Sequence, residues 1–283
     1  MFNKIRVRIQ FWIPQHLFSR FLGILADMSI PFVTTFIIRC FIKKYKVNME
    51  EAEIETPEKF TSFNAFFTRA LKSDVRTIES GDKVMISPVD GVVSQLGKIN
   101  GGYMIQAKGH EYSLLELLGG NPNDAECFFS GLFMTIYLSP KDYHRIHMPC
   151  YGRLLKMIYV PGSLFSVDAL TTENIPNLFA RNERVVCIFD CHGQRFAMVL
   201  VGAMIVGSIE TVWADTITPP RGKQVTEWSY ESQDIVLQKG DEMGRFKLGS
   251  TVILCLESDF IQQFESELTE NKAVCFGEKI AMQ

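Results

Sequence analysis

RVVCIFD (184–190), a turn through Gly193, and RFAMVLVGAMIVGSI (195–209) form the stretch on which a reading of the fold turns. Short β-branched and aliphatic runs bounded by Gly, Pro or Asn read as strands rather than helices. The pattern recurs on both sides: VVSQLGKI (92–99), YMIQA (103–107), GLFMTIYL (131–138) and GRLLKMIYV (152–160) before it, and STVILCLE (250–257) near the end. These runs predict a largely antiparallel β body that begins near Val84. No G-x-G-x-x-G follows a strand, there is no P-loop, and no βα alternation repeats, so nucleotide binding has no support. Upstream, residues 47–80 read as helical and polar, with TSFNAFFTRAL (61–71) an amphipathic stretch.

The first 46 residues differ in charge from everything after them. Lys4, Arg6, Arg8, Arg20, Arg39, Lys43, Lys44 and Lys46 face Asp27 alone, a net of +7, which leaves −10 on the remainder of a chain whose total is −3. Phe11, Trp12, Leu17, Phe18, Phe21, Leu22 and Leu25 form one apolar cluster; Ile30, Phe32, Val33, Phe36, Ile37 and Ile38 belong to a second. Positions 11, 18, 21, 22 and 25 follow helical spacing. The longest uncharged run, residues 28–38, is interrupted by Pro31 and is short of the ~20 apolar residues a spanning helix needs. Apolar helices flanked by Lys and Arg can lie in the headgroup region of an anionic membrane. They can equally pack on the body of the protein or form a dimer interface, so a homodimer has room here. The architecture predicted is α+β: N-terminal membrane-associating helices (1–46) on a β-rich catalytic domain (47–283). Seven cysteines form no C-x-x-C pair and no cleavable signal peptide is visible, which points to a reducing, cytoplasm-facing setting.

Three places could carry chemistry. Ser87-Pro88-Val89-Asp90-Gly91 puts a carboxylate at a tight turn before a strand; Tyr143-His144-Arg145-Ile146-His147-Met148-Pro149 follows a strand; Leu248-Gly249-Ser250-Thr251 leads into another. Each has a plain structural reading, since Asp-Gly and Gly-Ser are common in turns. Two histidines three residues apart could begin a metal site. Further ligands are needed, and His16, His110 and His192 stand in unrelated contexts. Together, however, the three places supply Asp, His and Ser, a set that can deprotonate a hydroxyl. The usual product of such a set is a hydrolase. Here the serine lacks a G-x-S-x-G elbow and directly follows Gly249, whose carbonyl lies beside the serine hydroxyl with no side chain in the way.

These segments resemble those of the phosphatidylserine decarboxylases. The likeness extends to Tyr159–Val167, Asn177–Arg184 and the run from Val201 to Trp213, and to the basic, apolar start, so it covers nearly the whole chain. The segment after Ser250 is shorter than in some bacterial members. The resemblance implies self-cleavage between Gly249 and Ser250 by Asp90, His147 and Ser250, with His147 as base and Asp90 orienting its ring. It implies a large β chain (1–249), a small α chain (250–283), and a pyruvoyl group made from Ser250 that forms a Schiff base with phosphatidylserine. Decarboxylation to phosphatidylethanolamine would follow, with His144 assisting it or the later reprotonation, and with neither pyridoxal phosphate nor a metal invoked. The implied setting is peripheral, on the cytoplasmic face of the bacterial inner membrane, with anionic lipid and no nucleic acid as partner. The alternatives are a lipid-directed serine hydrolase using the same residues, and a non-catalytic membrane-binding β domain.

Overall fold

The computed structural model describes residues 7–107, 109–204, 208–218, 224–247 and 250–283, with Ser250 described by its backbone alone. In chain order the first strands are β1 (Val84–Ile86), β2 (Gly91–Lys98), β3 (Tyr103–Ala107), β4 (His110–Ser113), β5 (Leu132–Leu138), β6 (Arg145–His147), β7 (Gly152–Val160), β8 (Arg184–Cys191) and β9 (Gln194–Gly202). The remainder are β10 (Ser208–Thr211), β11 (Asp215–Thr216), β12 (Thr226–Ser229), β13 (Val236–Leu237), β14 (Glu242–Lys247), β15 (Ser250–Leu256), β16 (Ala273–Val274) and β17 (Lys279–Met282). Among the described residues, nine of them build one sheet in the order β12-β7-β8-β9-β15-β5-β2-β16, with β13 also on β7. A four-stranded sheet runs β11-β10-β14-β6. The ladders of both sheets are antiparallel.

Strand periodicity explains why the central runs are apolar throughout rather than alternating. Successive side chains point to opposite faces, and both faces of the large sheet are covered. Val252, Leu254 and Leu256 of β15 join one core with Met134, Ile136, Leu138, Met198 and Leu200, against Ile146, Ile209, Met243 and Phe246 of the small sheet. Ile253 and Cys255 point the other way, into a core with Phe133, Val199, Leu114, Phe128 and Phe179. Burying each such side chain contributes roughly 1.5–3 kcal/mol, which makes β15 among the most firmly held segments.

The N-terminal segment contributes α1 (Gln15–Asp27) and α2 (Pro31–Tyr45), bent by 115° to one another. Pro31 starts α2 where no amide partner is required, and Lys43 and Lys44 sit in its last turn, where the helix dipole favours cations. Among the described residues no single helix is long and apolar enough to cross a membrane. Side-chain amides fix the segment to the body: Leu164 N donates to Gln15 Oε1 at 2.7 Å and Ser166 N to Gln10 Oε1 at 2.9 Å.

Residues 47–80 depart from the helix expected there. They hold only a 3-10 turn at Pro57–Lys59 and the five-residue α3 (Phe63–Phe67). Ser62 Oγ caps α3 by accepting from Ala65 N, and Thr68 Oγ1 closes its other end by donating to Asn64 O. Beyond it the chain pairs with its own upstream segment, Glu53 N to Ala70 O at 3.0 Å and Lys72 N to Glu51 O at 2.9 Å. Those amides are thereby unavailable to a helix. Phe60, Phe63, Phe66 and Phe67 form a third cluster with Ile38 of α2 and Ala26 of α1.

Candidate active site

The three stretches singled out in the sequence meet at one end of the large sheet. His147 N donates to Pro88 O and Ile86 N to Pro149 O, each at 2.9 Å, so the Asp-Gly turn is zipped to the histidine strand. Phe246 N donates to His144 O at 3.0 Å, joining that strand to β14, which runs towards Ser250. Val92, Tyr137, Thr251 and Val201 stand in one row across β2, β5, β15 and β9. One residue on, Ser250 lies between Leu138 and Gly202. The starts of β2 and β15 thus flank β5, about 10 Å apart at the usual strand spacing. Gly91 is required there, because a Cβ would meet Tyr137 O at 2.5 Å. Gly249, with Leu248, lies outside the described residues, and so does the side chain of Ser250.

Asp90 is buried. Its carboxylate accepts from Arg76 Nε at 3.1 Å, from Arg76 Nη2 at 2.5 Å and from Phe276 N at 2.8 Å. The paired guanidinium is held in its charged form by this contact. Asp90, expected to orient the ring of His147, shares no hydrogen bond with it among the described residues. His147 Nδ1 meets Gly240 O at 2.8 Å and Nε2 meets Tyr143 Oη at 3.0 Å. Asp90 acts on His147 through charge and through Phe276, whose ring stacks on the imidazole at 3.8 Å and 17°.

These contacts define the protonation of His147. A carbonyl oxygen only accepts, so Nδ1 carries the hydrogen, and Nε2 holds a lone pair that accepts from the Tyr143 hydroxyl. Burial lowers the pKa of the ring, partly offset by the Gly240 hydrogen bond, so the neutral base is the favoured form. Burial pushes the Tyr143 hydroxyl up, which keeps it a donor.

His144 is fully buried, with its ring 4.1 Å from that of Phe67. Nδ1 donates to Asp142 O at 2.8 Å, while Nε2 meets no partner among the described residues. Desolvation lowers its pKa to about 3. The ring therefore offers an unprotonated, idle nitrogen beside the strand that leads to Ser250. Asp90, Tyr143, Ser139, Asp142 and Arg76 line a cavity of about 310 Å³ at this end of the sheet. Among the described residues, no group of three His, Cys, Asp or Glu side chains is placed to hold a metal.

Sequence reasoning gave no role to Arg76, Gly240 or Phe276, which sit 14, 93 and 129 residues from the side chains they hold. Tyr143 stood within the quoted motif, and its four-residue spacing from His147 was the one available signal. The residues present fit self-processing: a serine at the first position of a doubly paired strand, two neutral imidazoles, and a small C-terminal segment built into the sheet.

The chain is similar to known proteins over nearly its whole length. A family model described as phosphatidylserine decarboxylase matches residues 63–282, and one described as PSD matches residues 5–46. The phosphatidylserine decarboxylase proenzyme of Vibrio cholerae is 56% identical over 284 residues, covering 99% of both chains. The proenzyme of the same name from Vibrio parahaemolyticus is 54% identical with the same coverage, and that of Pseudoalteromonas atlantica is 57% identical over 93% of both.

Proposed function

We propose, from the premise that this chain belongs to the phosphatidylserine decarboxylase family and is a decarboxylase made as a proenzyme, that it cuts itself at Gly249–Ser250 and carries its reactive carbonyl on Ser250. The observation that carries this reading is the meeting of the Asp90 turn, the His144–His147 strand and the start of β15 at one end of the sheet.

In this reading a neutral His147 takes the Ser250 hydroxyl proton through Nε2, Tyr143 yielding its place or relaying the proton. The freed oxygen attacks the Gly249 carbonyl carbon and the amide becomes an ester. Elimination then breaks the Cβ–O bond, releases the Gly249 carboxylate and leaves dehydroalanine. Tautomerisation and hydrolysis convert this to a pyruvoyl group with loss of ammonia. That group supplies an electron sink for a substrate amine, which no standard side chain offers. The chain's own part in decarboxylation is positional: His144 holds a bare, unprotonated Nε2 in a desolvated surround, where it would accept a hydrogen bond or a proton from the reacting substrate. The substrate is phosphatidylserine and the product phosphatidylethanolamine.

The N-terminal segment supports work at a membrane. Trp12 is 87% exposed and Phe32 85%, and Leu17, Phe21, Ile24 and Phe36 of α1 and α2 are also exposed. Between the helices lies an apolar cavity of about 430 Å³, bordered by Lys44. We place the protein peripherally on the cytoplasmic face of the bacterial cell membrane, α1 and α2 against the headgroups. Intact-mass spectrometry under denaturing conditions tests the maturation. Two species are expected, 1–249 and a 34-residue peptide with a carbonyl in place of its amine, and one uncut species from Ser250→Ala. A single uncut mass in folded wild-type protein overturns the reading.

A further inference from the structure

Arg69 follows α3 and is 5% exposed. Its Nη2 donates to Lys141 O at 3.0 Å, whereas Nε and Nη1 find no partner among the described residues. A buried guanidinium with idle donors is costly unless an anion meets it. The carboxylates whose charge it feels are those of Asp90, Glu51 and Asp142. All three are engaged elsewhere: Asp90 and Glu51 by Arg76, Asp142 by Ser139.

Arg69 stands between two cavities. One is that of Asp90 and Tyr143. The other, about 240 Å³, is bordered by Arg69, Lys59, Arg145, Thr61 and Glu53, so three cations face one carboxylate. Arg145 spends Nε on Thr68 O and Nη1 on Glu242. Lys59 is exposed at the rim. Phe60, part of the aromatic cluster that carries α1 and α2, borders the same cavity. Glu58, next to Lys59, pairs with Arg39 of α2. The cavity therefore adjoins the exposed apolar helices, and its charge suits a planar fork of donors on a tetrahedral oxyanion.

We propose that Arg69, Lys59 and Arg145 form a phosphate-binding site, filled by the phosphodiester of an anionic phospholipid. That the lipid is the substrate rests on the function proposed above; that the site takes phosphate does not. Its position beside His144, whose ring packs on Phe67 two residues from Arg69, would set the headgroup near the unpartnered Nε2.

The test is thermal unfolding of the full-length Ser250→Ala chain, titrated with inorganic phosphate and with glycerophosphoglycerol. The latter has no amine and cannot react at a carbonyl, so decarboxylase activity does not enter the readout. Both ligands should raise Tm in the parent chain, the diester at the lower concentration. Arg69→Gln and Lys59→Glu should each weaken the midpoint about tenfold, the scale of a charged hydrogen bond, and Arg69→Lys should recover part of it. Lys59 is exposed, so Lys59→Glu keeps the test open if Arg69→Gln does not fold. Unchanged midpoints in Lys59→Glu overturn the site; tighter binding of free phosphate than of the diester overturns its assignment to lipid. In the self-cleaved wild-type background, Lys59→Glu should raise KM for phosphatidylserine vesicles more than it lowers kcat, and an effect on kcat alone would contradict a binding role.

Discussion

The main-chain amide of Phe276 donates to Asp90 at 2.8 Å while the Phe276 ring stacks on His147, so one residue of the C-terminal segment links the two side chains. Asp90 holds Phe276, and Phe276 holds the imidazole plane. Phe276→Leu keeps the amide and most of the apolar volume but removes the stack. It should slow self-cleavage about tenfold, roughly 1.4 kcal/mol of barrier, with only a small fall in Tm. The time course of precursor disappearance on a denaturing gel measures it. Wild-type kinetics would remove Phe276 from the positioning of His147.

The two histidines should separate by stage. His147 Nε2 is engaged by Tyr143, and His144 Nε2 is idle. His147→Ala should leave the chain uncut. His144→Ala should cut and then turn phosphatidylserine over poorly, with a loss of about 10²–10⁴-fold if the ring acts in proton transfer. In register, however, His144 bonds to Phe246 while His147 stands opposite Glu242, so His144 lies nearer the cut along β14. An uncut His144→Ala with a processed His147→Ala would exchange the two roles.

The pH dependence of maturation follows from the sign of the His147 shift. Burial favours the neutral ring, so its pKa lies below the ordinary value of about 6.5. Self-cleavage should therefore persist below pH 6.5, where an exposed histidine would be protonated. Tyr143→Phe removes the donor that stabilises the neutral Nε2 and should move the acid limb upward. The cleavage rate of both chains between pH 5 and 8 checks this, and a limb at the same pH in both would exclude Tyr143 as the partner that matters.

The fold was legible where burial is two-sided. The apolar runs at 131–138, 152–160, 184–190 and 250–257 correspond to β5, β7, β8 and β15 to within one residue at each end. The short strands β6 and β14 were not legible. Arg145, His147, Glu242 and Arg245 belong to none of the apolar runs from which strands were read, and their pairing across the small sheet makes them strands. The identity of the site residues was carried by motifs, but their wiring was not. Asp90 and His147 share no hydrogen bond, and their partners come from residues 76, 240 and 276, whose approach is set by tertiary packing alone.

The membrane attachment proposed for α1 and α2 should combine apolar and ionic parts. Phe21, Ile24, Phe32 and Phe36 project from the body, while Gln10 and Gln15 tie the segment to it. Replacing these four by Ser should abolish flotation with vesicles containing phosphatidylserine and leave the protein folded, because none of the four is buried. Raising salt should weaken binding of the unmodified protein only in part, since the ionic share is screened and the apolar share is not. Flotation that salt eliminates completely would reduce the attachment to charge.

The small chain should stay bound after the cut. Seven residues of β15 pair on one side with β5 and on the other with β9, β16 pairs with β2, and β17 with β1. Val252, Ile253, Leu254, Cys255 and Leu256 are fully buried. Peptide cleavage before β15 removes none of these contacts, so gel filtration without denaturant should return both chains in one peak, and only unfolding conditions should part them. The cut still has a cost: the chain loses the loop closure between β14 and β15, so the dissociated state gains entropy that the intact precursor lacks. The mature protein should consequently unfold at a lower Tm than Ser250→Ala and, unlike it, refold in a concentration-dependent way. Release of the small chain in native buffer would show that β15 is held less firmly than its burial requires.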